Sequence, residues 1–391
     1  MLLRGVLLLV LLFLFVATAF YLRSEIYTFP PSKAFEGKAV YNPYRIQPAL
    51  RFKANFHAHS RSWRGWTNGH QSDSEMVAAY LGAGYQLPGL SNYHRVSSWA
   101  QKHAPLYLPV YESGYNPLKA HWLVMGLNQP SFFDFPLYQG LSQQQHVIHH
   151  LRNKGAVLSM AHPDFGGGRR LDHMESLVGY HFMEVFNHYR HSEKYYDRAL
   201  SAGRLSWLMA NDDTHDLHRE ATFKRWNMWF GDSLSIQNVL EHALLGRHYV
   251  VYAEDSSFPK SLVGTEDFHG PADSVNPSSA GAYRAVFRFS HPFSKILAVG
   301  QGGKVLDSVL NRDSMVVSLP AHEPYLRVEA RDADAAILLN PLVRYDGVRL
   351  PLTANQKAEI RTWATWFFRL GVVLVLILVL KAGIWVARWG N

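Results

Sequence analysis

Two stretches of the chain lack any polar rhythm. Gly5 to Leu22 (GVLLLVLLFLFVATAFYL) runs 18 residues without a charge, and Leu370 to Val386 (LGVVLVLILVLKAGIWV) is broken only by Lys381. About 20 apolar residues span the hydrocarbon core of a bilayer, so transmembrane helices are predicted over 1–23 and 370–389. For the first, two readings stay open: an uncleaved signal anchor, or a signal peptide cut after Ala17-Thr18-Ala19. Lys381 lies near the end of its segment, where its stem can carry the ammonium to the interface. Trp363, Trp366, Phe367 and Phe368, within a linker over 351–369, form one aromatic belt, and Trp385 with Trp389 form the other.

Between these segments the pattern changes twice. Residues 24–50 carry four prolines and no apolar period, and read as an extended linker. Over 51–255, short apolar runs (NFHAH, GLSNYH, AVLSMAH, FMEVFN, LSWLMAND) alternate with helical stretches such as SEMVAAYLGAGY and SIQNVLEHALLGRH. That alternation predicts a parallel sheet or an α/β barrel. Over 256–350, YRAVFRFS, SMVVSLP, YLRVEARD and AAILLN are period-2 strands between turn residues, predicting a small all-β sandwich.

Charge and composition sharpen this picture. The chain has a formal charge of +8, which invites a nucleic-acid reading. Its distribution argues against one: residues 1–50 carry +3, 51–255 only +1, 256–350 zero and 351–391 +4. The excess belongs to the ends that meet a membrane, where Lys381 and Arg388 place the C-terminus in the cytoplasm. The soluble regions then lie on the extracytoplasmic, periplasmic side, and the bilayer is an expected partner. The absence of cysteine removes disulfides, thiolate metal sites and cysteine nucleophiles.

Of 21 histidines, 18 lie between His57 and His248, so any chemistry belongs to the α/β region. The polar candidates fall where the apolar runs end. FHAHS offers His57 and His59, whose alternate spacing puts both rings on one face of a strand. SNYH offers His94, YES Glu112, AHW His121, MAHPD His162, and DDTHD both Asp213 and His215. In a barrel of parallel strands, residues at the C-terminal strand ends converge on one mouth. Imidazoles mixed with carboxylates suit Zn, Mn or Fe. His103, His146, His149, His150 and His173 read as solvated surface residues.

This ordered series resembles the PHP (polymerase and histidinol phosphatase) superfamily of metal-dependent phosphoesterases, over about residues 51–220. The resemblance implies a distorted (β/α)7 PHP-type barrel with two or three divalent ions. By it, His57, His59, Glu112 and Asp213 would hold one ion and Glu112, His121 and His162 a second. His94 and His215 would hold a third, with a ligand from the loop after HxH. Two departures stand out: Tyr93 replaces the usual Asp before His94, and Asn68-Gly69-His70 replaces the usual loop Asp, making His70 the substitute ligand. Glu184 and Asn187 match a family strand end and would support the ligands from behind.

The implied function is hydrolysis of a phosphate ester by metal-bound hydroxide, with Glu112, Asp213 and His215 as the catalytic groups. The partner would be a phosphorylated substrate, met by Arg190, Arg225 or His188, since dianions favour guanidinium. The Gly-rich turn at 166–170 (GGGRR) lacks the Lys-Ser/Thr of a nucleotide loop. The alternative is a catalytically weakened PHP-like scaffold or binding protein at the cell envelope, a reading Tyr93 motivates.

Overall fold

The computed structural model of the chain describes residues 2–46, 48–219, 222–268 and 283–389. Most of the uncharged N-terminal run lies in helix α1 (Leu2–Ala19), followed by two short strands, β1 (Tyr27–Thr28) and β2 (Ala39–Tyr41). Next come β3 (Leu50–Asn55), α2 (Asp73–Gly82), β4 (Leu87–Pro88), α3 (Ser98–His103), β5 (Val110–Ser113), β6 (Trp122–Met125) and α4 (Leu141–Asn153). The alternation continues through β7 (Val157–Met160), β8 (Phe182–Phe186), α5 (Glu193–Ser201), β9 (Trp207–Ala210), β10 (Arg225–Gly231), α6 (Ile236–Leu244) and β11 (His248–Ala253). The period-2 region supplies β12 (Leu262–Phe268), β13 (Tyr283–Val299), β14 (Val305–Leu319), β15 (Tyr325–Arg331), β16 (Ala335–Leu339) and β17 (Leu342–Tyr345). Strand β18 (Glu359–Ile360) and helix α7 (Thr362–Ala387) complete the order.

Local chemistry explains the helix boundaries. The Ser72 hydroxyl accepts from the Glu75 amide, and the Glu75 carboxylate accepts from the Ser72 amide, a capping box that starts α2. Helices α5 and α6 stop at Gly203 and Gly246, both at positive φ (76° and 73°). A Cβ on Gly203 would meet the Lys33 carbonyl oxygen at 1.9 Å, and one on Gly246 the Trp207 ring at 2.7 Å, so neither site admits a side chain.

Strand pairing departs from two expectations. Strands β5–β6–β7–β8–β9 form one sheet, in which β6 runs antiparallel to both neighbours. Strands β12–β13–β15–β16–β11–β10–β3–β4 form another, with β14 on β13. No continuous ladder closes a barrel among the described residues, because one edge of β3 is taken by antiparallel β10. Two single-residue bridges link the sheets instead, Ala58 to Thr214 and Tyr93 to Glu112. Nor do the strands of 256–350 make a sandwich apart, since β16 pairs with β11 over five residues and continues the same sheet. The core crosses the expected boundary too: Met76, Tyr80 and Tyr249 pack in one cluster with Phe287, Val328 and Ile337. The stretch read as a linker is partly paired, β1 with β18 and β2 with β17, and buries Phe35 and Tyr44.

Among the described residues, strand β9 has a ladder partner on one side only, in β8. On its other side, buried side chains stand in for a strand. The Asn227 amide spans the Ala210 N–H (2.9 Å) and C=O (2.7 Å). Asn340 Oδ1 accepts from the Leu208 N–H at 2.8 Å, and His248 Nε2 meets the Leu208 carbonyl at 2.8 Å. Unmet backbone groups at this depth would cost as much as lost hydrogen bonds, so the C-terminal strands stabilise β9 directly.

Helices α1 and α7 pack side by side and antiparallel. The Arg4 guanidinium donates to the Ala387 and Trp389 carbonyls at the C-terminus of α7. At the opposite end, Ile26 N–H donates to Thr365 Oγ1 (3.0 Å) and Arg361 N–H to the Ile26 carbonyl (2.8 Å). Leu2–Arg23 and Thr362–Ala387 are long and apolar enough to cross a membrane, with mean hydropathy of 2.7 and 2.6.

A buried ionic network ties α5 to β15. Arg327 grips Asp197 with two nitrogens (2.8 and 2.9 Å) and also pairs with Glu329, which accepts from Arg331. Removing the central cation strips the half-buried Asp197 of its bidentate partner and leaves the buried Glu329 with Arg331 alone, so Arg327→Met should lower the unfolding free energy by about 3 kcal/mol. Denaturant titration of the full chain in detergent checks this. The exposed Arg312→Met should stay within about 0.5 kcal/mol of wild type.

Candidate metal centre

The site is assembled where strands end. His57 and His59 follow β3, and their backbone is held in line by Asp213 N–H to the His57 carbonyl (2.8 Å) and His59 N–H to the Thr214 carbonyl (2.7 Å). Glu112 projects from β5 and His162 follows β7. His121 precedes β6, and because β6 runs antiparallel, its start lies at the same edge as its neighbours' ends. Asp213 and His215 follow β9. His162 and Asp213 have positive φ (27° and 52°), costly for residues with side chains and a mark of over-determined sites.

The ligand-type atoms converge on Glu112. Its Oε2 lies 3.1 Å from His59 Nε2 and 3.4 Å from His57 Nε2, and its Oε1 lies 2.5 Å from His121 Nδ1 and 3.2 Å from His162 Nε2. Asp213 Oδ1 approaches His57 Nε2 (3.2 Å) and His59 Nε2 (3.3 Å). Among the described residues, four groupings have donor atoms within 4.8 Å of one another: His57–His59–Glu112, His57–His162–Asp213, His59–Asp213–His215 and Glu112–His121–His162. His57 Nε2, His59 Nε2, Glu112 Oε2 and Asp213 Oδ1 are buried without a hydrogen-bond partner. Orphaned buried acceptors of this kind are rare, and a divalent cation would satisfy them together. The donor set, imidazole and carboxylate, fits Zn, Mn or Fe.

Supporting groups fix how these ligands point. His57 Nδ1 meets Glu184 Oε1 at 3.1 Å, which turns Nε2 toward the cluster. Glu184 accepts in turn from Asn211 Nδ2, Asn187 Nδ2 and the His162 N–H, at 2.8–2.9 Å. Asn187 also reaches Asp213 Oδ2 at 3.2 Å. The electrostatics follow this arrangement. Burial opposes a charge on His57, yet Asp213, Glu184 and Glu112 outweigh it and hold the ring well above its ordinary value. Burial likewise opposes ionisation of Glu112, but His121 and His57 hold it well below the carboxylate range. His215 moves the other way, down to about 4, through burial and the adjacent His59. The carboxylates at the centre thus remain anions that require positive charge beside them.

Other expected residues fall elsewhere. His94 is not brought to the cluster: Nδ1 meets the Ser131 carbonyl at 2.7 Å and Nε2 accepts from the Gly114 N–H at 3.1 Å, so no lone pair is left for an ion. His70 is exposed; its backbone N–H, not its ring, binds near the site, at the His215 carbonyl. Arg190 is exposed and donates to the Tyr189 carbonyl, and His188 is exposed beside the Tyr189 ring. Arg225 is buried over the Tyr252 ring at 5.0 Å, with no hydrogen bond or ion pair to the cluster. His173, expected at the surface, is buried against Gln144.

Three supporting residues escaped the sequence reading. Asn211 and Asp212 lie in the polar run ANDDTHD that offered Asp213. Asn211 accepts from the Phe56 N–H, and Asp212 gathers the amides of Phe223, Lys224 and Arg225. Arg169, from the Gly-rich turn, is buried and donates to the Ala161 and His121 carbonyls behind two ligands. Polar residues crowding the end of an apolar strand were the available signal.

No family model matches the chain, and no curated protein matches it. Among solved structures, the chain is similar to a two-domain protein from Bacteroides vulgatus containing a predicted PHP-like metal-dependent phosphoesterase. Identity is 13%, the TM-score is 0.38, and the match covers 85% of this chain and 99% of that one.

The Glu184 contact to His57 generates a test. Glu184→Gln should weaken divalent-ion binding by about 10–100-fold, as measured by isothermal titration of the full chain in detergent. Unchanged affinity would mean that Glu184 only fills space.

Proposed function

We propose that this chain is a membrane-anchored, metal-dependent phosphoesterase working outside the cytoplasm. The carrying observation is the set of four unpartnered buried atoms, His57 Nε2, His59 Nε2, Glu112 Oε2 and Asp213 Oδ1, facing one another. In this reading His57, His59, Glu112 and Asp213 hold one ion and Glu112, His121 and His162 a second, with His215 beside them as a proton-carrying group. The framework would be a distorted ring of β3 to β9, a reading supported by the bridges Ala58–Thr214 and Tyr93–Glu112.

Divalent ions in such a site supply Lewis acidity, activating water and offsetting charge that grows on a phosphoryl oxygen. The protein's own groups do the rest. Glu112 presents one oxygen to each pair of imidazoles, so a single carboxylate sets the spacing of two ligand groups. His215 Nδ1 faces the Asp213 carbonyl at 3.0 Å, which leaves Nε2, 3.5 Å from the Tyr93 hydroxyl, to take or give a proton. The Tyr93 and His215 rings stack on His59, at 4.5 and 4.3 Å, and keep bulk water from that side. The depth of the cluster, with His57, His59, Glu112 and His162 at most 2% exposed, favours one competing reading, a metal-holding scaffold without turnover.

Membrane anchoring is supported by the antiparallel pairing of α1 and α7, which gathers Arg4, Lys381 and Arg388 at one end. The folded region lies at the other end, and long domains translocate largely regardless of their own charge.

Three experiments test the proposal. The full chain in detergent should carry two or more transition ions by elemental analysis, and the His57→Ala/His59→Ala variant should lose them. With Mn supplied, it should hydrolyse phosphate monoesters, and Asp213→Ala should lower turnover by about 10³-fold or more. Metal loading without turnover on any ester would favour the scaffold. Because the chain has no cysteine, a single Val348→Cys, at an 85% exposed position, gives a clean topology probe. A membrane-impermeant maleimide should label it in intact cells.

A further inference from the structure

The loop that leaves the ligand His59 carries two exposed tryptophans. Its base is tight: Arg61 N–H donates to the Gln71 carbonyl and His70 N–H to the His215 carbonyl, so it leaves and returns at the metal cluster. At its tip Trp66 is 91% exposed and Trp63 48%. An indole so exposed in water gains nothing for the fold, and Trp side chains concentrate where an apolar phase meets a polar one.

These residues are continuous with the ends of the membrane-length helices. The Trp63 indole donates to the Tyr93 carbonyl (2.8 Å), and its ring packs edge-on to Phe132 (6.1 Å), itself 56% exposed. Phe132 lies in the connection between β6 and α4, whose far end carries Tyr138, 54% exposed. There the Tyr21 hydroxyl, in the last turn before the end of the first apolar segment, donates to the Tyr138 carbonyl at 2.6 Å and accepts from the Leu137 N–H at 3.2 Å. The exposed Tyr115 closes the gap, its hydroxyl donating to the Phe132 carbonyl at 3.3 Å. One path of contacts therefore runs from Tyr21, through Tyr138, Phe132 and Trp63, to Tyr93 stacked on His59.

We infer that the rim formed by Trp63, Trp66, Tyr115, Phe132 and Tyr138 rests in the bilayer surface, and that the substrate is a phosphate monoester carried on a membrane lipid. This deepens the phosphoesterase reading and rests on it and on the membrane anchoring. The apolar rim enters the headgroup layer, and the lipid's phosphate reaches the cluster without the acyl chains leaving the membrane. Phosphorus gains one oxygen from water and its bond to the lipid oxygen breaks. A proton from that water passes to the departing oxygen, so one water is consumed and the lipid alcohol and inorganic phosphate are released.

The test uses the full chain, with Mn, in phosphatidylcholine vesicles containing phosphatidic acid, and compares phosphate release with that from soluble glycerol 3-phosphate and para-nitrophenyl phosphate. Wild type should release phosphate from the lipid, and Trp66→Ser/Phe132→Ser should lose about ten-fold or more on the lipid while keeping its rate on the soluble esters. Quenching of tryptophan fluorescence by brominated phosphatidylcholine should fall in Trp66→Ser. Turnover of soluble esters with none of the lipid, or equal losses on both, overturns the lipid assignment and leaves the phosphoesterase reading standing. Turnover of neither class overturns both.

Discussion

Glu112 is the constraint around which the rest is arranged. A carboxylate this deep is expensive to ionise unless cations and hydrogen-bond donors surround it. Each of its oxygens faces two imidazoles, and those imidazoles come from the ends of β3, the start of β6 and the end of β7. The carboxylate therefore pins the positions of three separate strand ends. The antiparallel course of β6 follows from the same demand, since His121 can reach Glu112 only if its strand starts at that edge.

The C-terminal strands take part in this economy of buried polar groups. Asp213 belongs to the cluster only because β9 holds its place, and the outer side of β9 is satisfied by Asn227, His248 and Asn340. Asn340 lies between β16 and β17, so residues far from the ligands in sequence support a ligand-bearing strand. The Arg327 network between α5 and β15 secures the same junction with charge. Continuity of the sheet through β11 and β16 explains why this region has no packing boundary at 255. A strand edge as apolar as that of β11 is stabilised by pairing rather than by solvent.

The two ends of the chain meet in the same way. Short strands β1 and β18 pair outside the apolar helices, and Tyr21 and Ser24 bind α4 and the loop before it. The ligand-bearing region is thus seated against the end of the helix pair, and its orientation there is set by hydrogen bonds. A flexible tether would leave the aromatic rim free to face any direction. These contacts hold it toward the helix ends.

Much of the protein was legible along the chain, because the signals were local. Eighteen uncharged residues dictate a helix with apolar faces all round, as α1 shows. Alternate histidines in FHAHS must share a face of an extended backbone, and His57 and His59 do share one cluster. Apolar runs ending in polar residues located Glu112, His162, Asp213 and His215. What spacing does not carry is the direction of a ring nitrogen. His94 and His121 both sit beside Glu112 in the fold's order, yet backbone groups of Ser131 and Gly114 claim both nitrogens of the first, while the second keeps one for the carboxylate. Strand partners are equally non-local: any apolar period-2 segment can pair, and only competition for edges settled that β10 takes β3 and β16 takes β11. The sequence by itself determined which residues could ligate and which segments could be strands, since both depend on side-chain chemistry and short-range periodicity. Tertiary structure alone decided which of them met, because hydrogen-bond partners and strand edges are shared among distant residues and each can be used once.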